Sequence, residues 1–142
     1  MQNITDVPVN AMQLNLRLDW SEQDTFLHIN NVAYFKYTQA ARLQLLEKVG
    51  LVEMHRNENI GPTLGNTQCK FIKPLFYPGT ITVHTYIKEI KNTSFVIQHV
   101  ITNDKNEVAA KAEDVIVVYD YSKENKVSIP LETLPLLKRL MP

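Results

Sequence analysis

The chain has 142 residues, 44% apolar and 21% charged, with fifteen Lys and Arg against fifteen Asp and Glu. That is the length and composition of one globular domain, 1–142, and the absence of a basic excess sets aside nucleic acid and anionic membranes as partners. A single cysteine, Cys69, excludes an internal disulfide, and no apolar run approaches the roughly 18–20 residues of a membrane span or the shape of a signal peptide, so the sequence reads as soluble and cytoplasmic.

After Pro8, the segment AMQLNLRLDW sets Met12, Leu14, Leu16, Leu18 and Trp20 against Gln13, Asn15, Arg17 and Asp19, the alternation of a half-buried strand. From Val32 to Val49 the period becomes helical. Val32, Tyr34, Phe35, Leu43, Leu45, Leu46 and Val49 fill one broad arc, and Lys36, Gln44, Glu47 and Lys48 fill the opposite one. Gly50 is suited to ending that helix in the left-handed conformation. A polar connection, LVEMHRNENIGP, follows. Four strand signals then run almost to the end: TLGNTQCKFIK, TITVHTYIKEI, SFVIQHVIT and EVAAKAEDVIVVYDY, separated by short turns that imply antiparallel hairpins. The tail SIPLETLPLLKRL reads as a strand remnant and a short amphipathic helix with Pro130 near its start.

The order strand, long helix, four strands predicts an α+β fold of about five antiparallel strands with the helix laid on one sheet face. A helix of about 20 residues is about 30 Å long, comparable with the width of five or six strands at about 4.8 Å spacing, so the sheet can wrap around it. The uncovered surfaces and edge strands that remain favour association between subunits.

Ahead of the helix, DTFLHINN crowds Asp24, His28, Asn30 and Asn31 together. Asparagine is a strong N-cap, which accounts for one of the two asparagines. A helix start also aims free N–H donors and a positive dipole end at whatever precedes it, where an oxyanion or polarised carbonyl is stabilised. A carboxylate beside those donors can activate water or attack an acyl group itself, which makes Asp24 the candidate catalyst. Within the helix, Gln39 and Arg42 interrupt the apolar arc. They either rim a polar pocket or subunit interface or fold back onto backbone carbonyls at the sheet edge.

The segment DTFLHINNVAYFKYTQAAR resembles the motif D-x-x-G-H-V-N-N-x-x-Y-x-x-Y-x-E-x-A-R of hotdog-fold acyl-CoA thioesterases of the 4-hydroxybenzoyl-CoA thioesterase type. FIKPLFYPGTITVHTYI is similar to the family's strand-K/R-P-x-x-x-G-D-x-L-x-V segment. The resemblance implies a hotdog fold, a sheet wrapped around one central helix, and hydrolysis of an acyl thioester to a carboxylic acid and free coenzyme A. Asp24 falls on the catalytic carboxylate and Asn31 on the backbone N–H that polarises the thioester carbonyl. His28, Asn30, Tyr34 and Gln39 fall on substrate-binding positions. Leu27 stands where the motif has glycine, and Gln39 stands where it has a glutamate.

The implied partners are an acyl-CoA or acyl-carrier-protein thioester and further copies of the chain as a homodimer or homotetramer, with no metal or cofactor. Lys73 and Lys88 are candidates to meet the coenzyme diphosphate. The same fold also hosts dehydratases, hydratases and non-catalytic acyl binders, and Leu27 and Gln39 are the residues that favour binding without turnover. Cys69, on a strand without an evident base, is an ordinary structural thiol.

Overall fold

A computed structural model describes residues 7–142; the start of the expected domain, residues 1–6, lies outside the described residues. The elements in chain order are β1 (Met12–Arg17), a single 3-10 turn (Trp20–Glu22), α1 (Asn31–Lys48), α2 (Leu51–Glu58), β2 (Ile60–Phe71), β3 (Thr80–Ile90), β4 (Ser94–Thr102), β5 (Val108–Asp120), β6 (Asn125–Lys126) and α3 (Leu134–Lys138). The sheet is antiparallel in the order β1-β3-β4-β5-β2, and the two-residue β6 extends it beside β5. Consecutive strands β3, β4 and β5 are hairpin neighbours. β2 closes the far edge by pairing with β5 from Ile60↔Asp120 to Phe71↔Ala110, with an irregularity between Leu64 and Asn66. This is the α+β hotdog architecture that the sequence predicts.

Three local expectations change. Trp20 leaves the strand alternation for the 3-10 turn and is 70% exposed. The connection after Gly50 is the two-turn helix α2, with Leu51 buried and Val52 and Met54 packed against the core. Its eight residues are too few for a period to stand out. The buried face of α1 keeps Tyr34, Leu45, Leu46 and Val49 of the expected arc but is rotated away from Val32 and Leu43. Ala33, Tyr37, Ala41, Leu45 and Val49 form the buried row at four-residue spacing, joined by Tyr34, Thr38 and Leu46, whereas Val32 and Leu43 are 64% and 51% exposed. Small alanines let α1 approach the sheet closely, and the phenols of Tyr34 and Tyr37 bury large rings that carry little apolar weight in a sequence pattern. Gly50 ends α1 as expected, at φ +83°.

Two apolar clusters fill the space between α1 and the sheet. One gathers Leu18, Ala33, Tyr37, Ala41, Val83 and Ile101 near the helix start. The other gathers Leu45, Leu46, Ile87, Phe95, Ile97 and Ile116 near its end, closed below by Leu137 and Leu140 of the C-terminal segment. A polar layer lies between them. On β3, Thr85 stands between Val83 and Ile87; on β4, His99 stands between Ile97 and Ile101; on β5, Asp114 stands between Ala112 and Ile116. Asp114 is fully buried and accepts hydrogen bonds from Arg42 of α1 (3.0 Å), from His99 (2.7 Å) and from Thr67 of β2 (2.7 Å). His99 Nδ1 meets Thr85 Oγ1 at 2.9 Å. The Arg42 guanidinium therefore folds onto a carboxylate of the sheet rather than onto backbone carbonyls.

His84 faces the other side of β3 and is 2% exposed, with Nε2 3.1 Å from Thr102 Oγ1 and Nδ1 unpartnered. Burial lowers its pKa below the ordinary 6.5. Between the folded and unfolded values the unfolded chain binds more protons, so stability rises with pH there and is lost on acidification below about 6.5. Melting temperature is expected to fall from about pH 7 to about pH 5, and less steeply in His84→Gln; equal slopes in the two proteins would refute the assignment.

Candidate active site

The segment between the 3-10 turn and α1 is tied at both ends. The Asn30 N–H donates to the Glu22 carbonyl (2.8 Å) and the Ile29 N–H to the Leu75 carbonyl (2.9 Å), so the chain enters the helix against the loop that precedes β3. Inside that frame residues 24–28 close on themselves. The Asp24 N–H donates to the His28 carbonyl (2.8 Å) and the Leu27 N–H to the Asp24 carbonyl (3.1 Å). Asp24 Oδ1 accepts from the N–H groups of Phe26 (2.8 Å) and His28 (3.3 Å). The carboxylate is thereby fixed by one oxygen, and Oδ2 makes no hydrogen bond among the described residues. Leu27 itself takes φ +65°, a left-handed conformation that bulky side chains rarely adopt, so the loop turns there without a glycine.

Asn30 is the N-cap: its Oδ1 accepts from the Ala33 N–H (2.9 Å) while its Nδ2 donates to the Glu22 carbonyl (2.8 Å). Asn31 is the first helical residue, and its N–H has no acceptor among the described residues. Loss of the cap in Asn30→Ala is expected to cost about 1–2 kcal/mol, measured by urea unfolding, because both the orphan helix donor and the tie to Glu22 are released.

These groups open on a cavity of about 370 Å³. Asp24, His28 and Asn31 supply its polar wall; Ile29, Tyr34, Phe71, Ile72 and Pro74 supply the apolar one, with Lys73 beside them. His28 stands edge-on to Phe76 at 5.0 Å and Tyr34 edge-on to Phe71 at 5.0 Å, which fixes both rings. Burial raises the Tyr34 phenol above its ordinary value, in spite of a hydrogen bond with the Leu75 backbone, so it is present as the neutral hydroxyl. The cavity thus combines a carboxylate oxygen without a partner, free helix-start donors and an apolar wall.

A second anion behind the helix start was not singled out from the sequence. Glu22 is 7% exposed and accepts from Tyr37 Oη (2.6 Å), Lys36 Nζ (3.1 Å) and the Asp19 N–H (3.1 Å). Burial alone would raise its pKa, but those donors outweigh it and hold the carboxyl below the ordinary glutamate value. Asp19 and Glu22 form a reciprocal capping box around the 3-10 turn, and the D-x-x-E spacing was the available signal. Through Lys36 and Tyr37 the cluster anchors the second turn of α1, and through the Glu22 carbonyl its N-cap Asn30, which together set the direction of the helix-start N–H groups.

Asp24, His28, Asn31 and Tyr34 come together in the cavity, and Asn30 supports it from behind. Gln39 does not join them. It is exposed on α1, eight residues beyond Asn31 and so about 12 Å along the axis at 1.5 Å per residue. Lys73 lines the cavity and is ion-paired with Glu107, whereas Lys88 lies on the opposite sheet face, paired with Glu113. Burial, with the nearby Asp114, pushes the Cys69 thiol up to about 11, so it is protonated and unsuited to attack. Among the described residues no three His, Cys, Asp or Glu side chains converge as metal ligands.

The sequence profile of the thioesterase-like superfamily matches residues 18–137, and the chain belongs to that family, a class of thioester hydrolases. The long-chain acyl-CoA thioesterase FadM of Escherichia coli K12 is 21% identical over 131 residues, which cover 92% of this chain and 99% of that protein. Among solved structures, a predicted thioesterase from Bacillus stearothermophilus superposes with a TM-score of 0.84 at 22% identity, covering 93% of this chain and 97% of the other. A 1,4-dihydroxy-2-naphthoyl-CoA thioesterase from Synechocystis does so with a TM-score of 0.79 at 12% identity, covering 90% and 96%. Likeness at these identities establishes the fold. No helix among the described residues is long and apolar enough to cross a membrane.

Proposed function

We propose that the protein hydrolyses acyl-coenzyme A thioesters to the carboxylic acid and free coenzyme A. The observation that carries this reading is the shared cavity of Asp24 and the start of α1. The thioester carbonyl oxygen accepts from the Asn31 N–H, where the helix dipole favours the charge that develops on that oxygen. Asp24, through Oδ2, either takes a proton from an attacking water or attacks the carbonyl carbon to give a mixed anhydride that water then opens; in both routes the C–S bond breaks and the thiolate leaves. His28, Tyr34 and the apolar wall of Phe71, Ile72 and Pro74 hold the acyl group against these atoms. No cofactor or metal enters the scheme. Coenzyme A thioesters are intracellular, and the cytoplasm is the compartment this reading implies.

A second copy of the chain completes the proposed assembly, as a homodimer or homotetramer. Val32 and Leu43 on α1 and Leu64 and Phe71 on β2 are exposed large apolar residues, and β2 is an edge strand whose outer ladder is open. Gln39 belongs to that exposed stretch of α1, so any part it plays in catalysis would be in a neighbouring subunit's site. Light scattering after size exclusion tests the assembly: a monomer at micromolar concentration would refute it.

Thiol release from a panel of short, long and aromatic acyl-CoAs, with the corresponding acyl-carrier-protein thioesters alongside, tests the reaction. Turnover of the coenzyme A substrates is expected. Tight acyl-CoA binding without thiol release would establish the alternative, a hotdog protein that holds acyl thioesters, and would make reversion of Leu27 and Gln39 the next step.

A further inference from the structure

Across the sheet from α1, a separate cavity of about 350 Å³ is lined by Gln68, Cys69 and Lys70 of β2, Gln98 of β4 and Lys111 and Glu113 of β5. Lys70 and Lys111 occupy directly opposed positions of the β2–β5 ladder, so both ammonium groups leave the sheet side by side on the same face. Like charges in that relation destabilise a strand pair. The nearest carboxylate, Glu113, does not relieve them, because Lys88 Nζ and Gln68 Nε2 already donate to it. Gln98 uses its amide on the carbonyls of His99 and Ala112. Neither Lys70 nor Lys111 has an ion-pair partner among the described residues.

Solvent exposure is the ordinary setting of a lysine, which accounts for Lys70. It does not account for Lys111, which is half-buried on β5, a strand paired on both sides. Two ammonium groups, with three N–H donors each and no carboxylate of their own, over a concave surface of that volume suit a compact anion with several oxygens. We propose that this cavity binds a phosphate-bearing small molecule between Lys70 and Lys111, on the sheet face opposite the Asp24 cavity. The phosphate has two sources, the 3′,5′-ADP portion of coenzyme A or a separate phosphorylated ligand.

Calorimetric titration of the full chain with inorganic pyrophosphate, and with 3′,5′-ADP, tests the site in wild type, Lys70→Gln/Lys111→Gln and Lys70→Arg/Lys111→Arg. Binding is expected to weaken tenfold or more in the glutamine variant and to persist in the arginine variant. The glutamine variant should melt no lower than wild type, since it removes a repulsion; if it melts lower, the single variants Lys70→Gln and Lys111→Gln replace it and should each weaken binding several-fold. Failure of wild type to bind either probe at millimolar concentration, or binding unchanged by the glutamine substitutions, overturns the proposal. The source is separated by kinetics. A KM that rises for acyl-CoA but not for the acyl-pantetheine in the glutamine variant supports the coenzyme as ligand. Loss of pyrophosphate binding with both KM values unchanged supports a separate ligand; this kinetic arm rests on the proposed hydrolysis, whereas the titrations test the site without it.

Discussion

Replacing Asp24 by asparagine is expected to lower kcat for acyl-CoA hydrolysis by about 10²–10⁴-fold, the range for a positioned acid–base group or more if the carboxylate is the nucleophile. Melting temperature should change little. The reason for choosing asparagine lies in the loop: Asp24 Oδ1 accepts from the Phe26 and His28 N–H groups, and an amide oxygen at the same position keeps both bonds, without the assistance of the charge. What the substitution removes is the charge and Oδ2, the oxygen that has no hydrogen bond among the described residues and that the proposed mechanism uses. Asp24→Ala would also open the loop, so a loss of activity there would not separate catalysis from structure. Thiol release and thermal melts on the same preparations decide the matter. Retained turnover in Asp24→Asn would remove Asp24 from the mechanism, and a large fall in stability would make it a structural aspartate.

The second large effect concerns Asp114. Its carboxylate is fully buried among Arg42, His99 and Thr67. Burial alone would raise its pKa, but the hydrogen bonds and charge of these partners prevail and hold it below the ordinary aspartate value. Asp114→Ala leaves the Arg42 charge and the His99 N–H without a partner between two apolar clusters, and such losses cost about 3–5 kcal/mol. At a few degrees per kcal/mol for a domain near this size, melting temperature should fall by roughly 10 °C or more. Urea unfolding of Asp114→Ala, Arg42→Met and the double variant gives the coupling directly. The double variant should be less destabilised than the sum of the singles, because removing both charges leaves neither stranded. A loss below about 1 kcal/mol in Asp114→Ala would show that the layer contributes little. By joining α1, β2, β4 and β5 the network fixes how the helix sits along the sheet, and so where its first turn meets Asp24.

The sequence by itself determined the order of the long elements, β1, α1 and the strands β2 to β5, because strand alternation and helical period depend only on neighbours along the chain, while the short α2 escaped it. The four strand segments after residue 60 are found within three residues of their expected ends, and Gly50 ends α1 where its conformational freedom is used. Asn30 as cap was equally legible, since capping is local chemistry. The clustering of Asp24, His28 and Asn31 was visible as well, through their proximity in the chain and through the motif they resemble.

What only the tertiary structure decided involves residues far apart in sequence. Which face of α1 is buried depended on how closely the sheet approaches, and the row of Ala33, Tyr37 and Ala41 won over the more apolar Val32 and Leu43. The partner of Arg42 lies 72 residues away. The apolar wall of the Asp24 cavity comes from Phe71, Ile72 and Pro74, brought there by the end of β2, and the lysine pair exists only through the β2–β5 register. Strand register and the depth of helix packing are set by contacts summed over the whole core, and no local period in the chain encodes them.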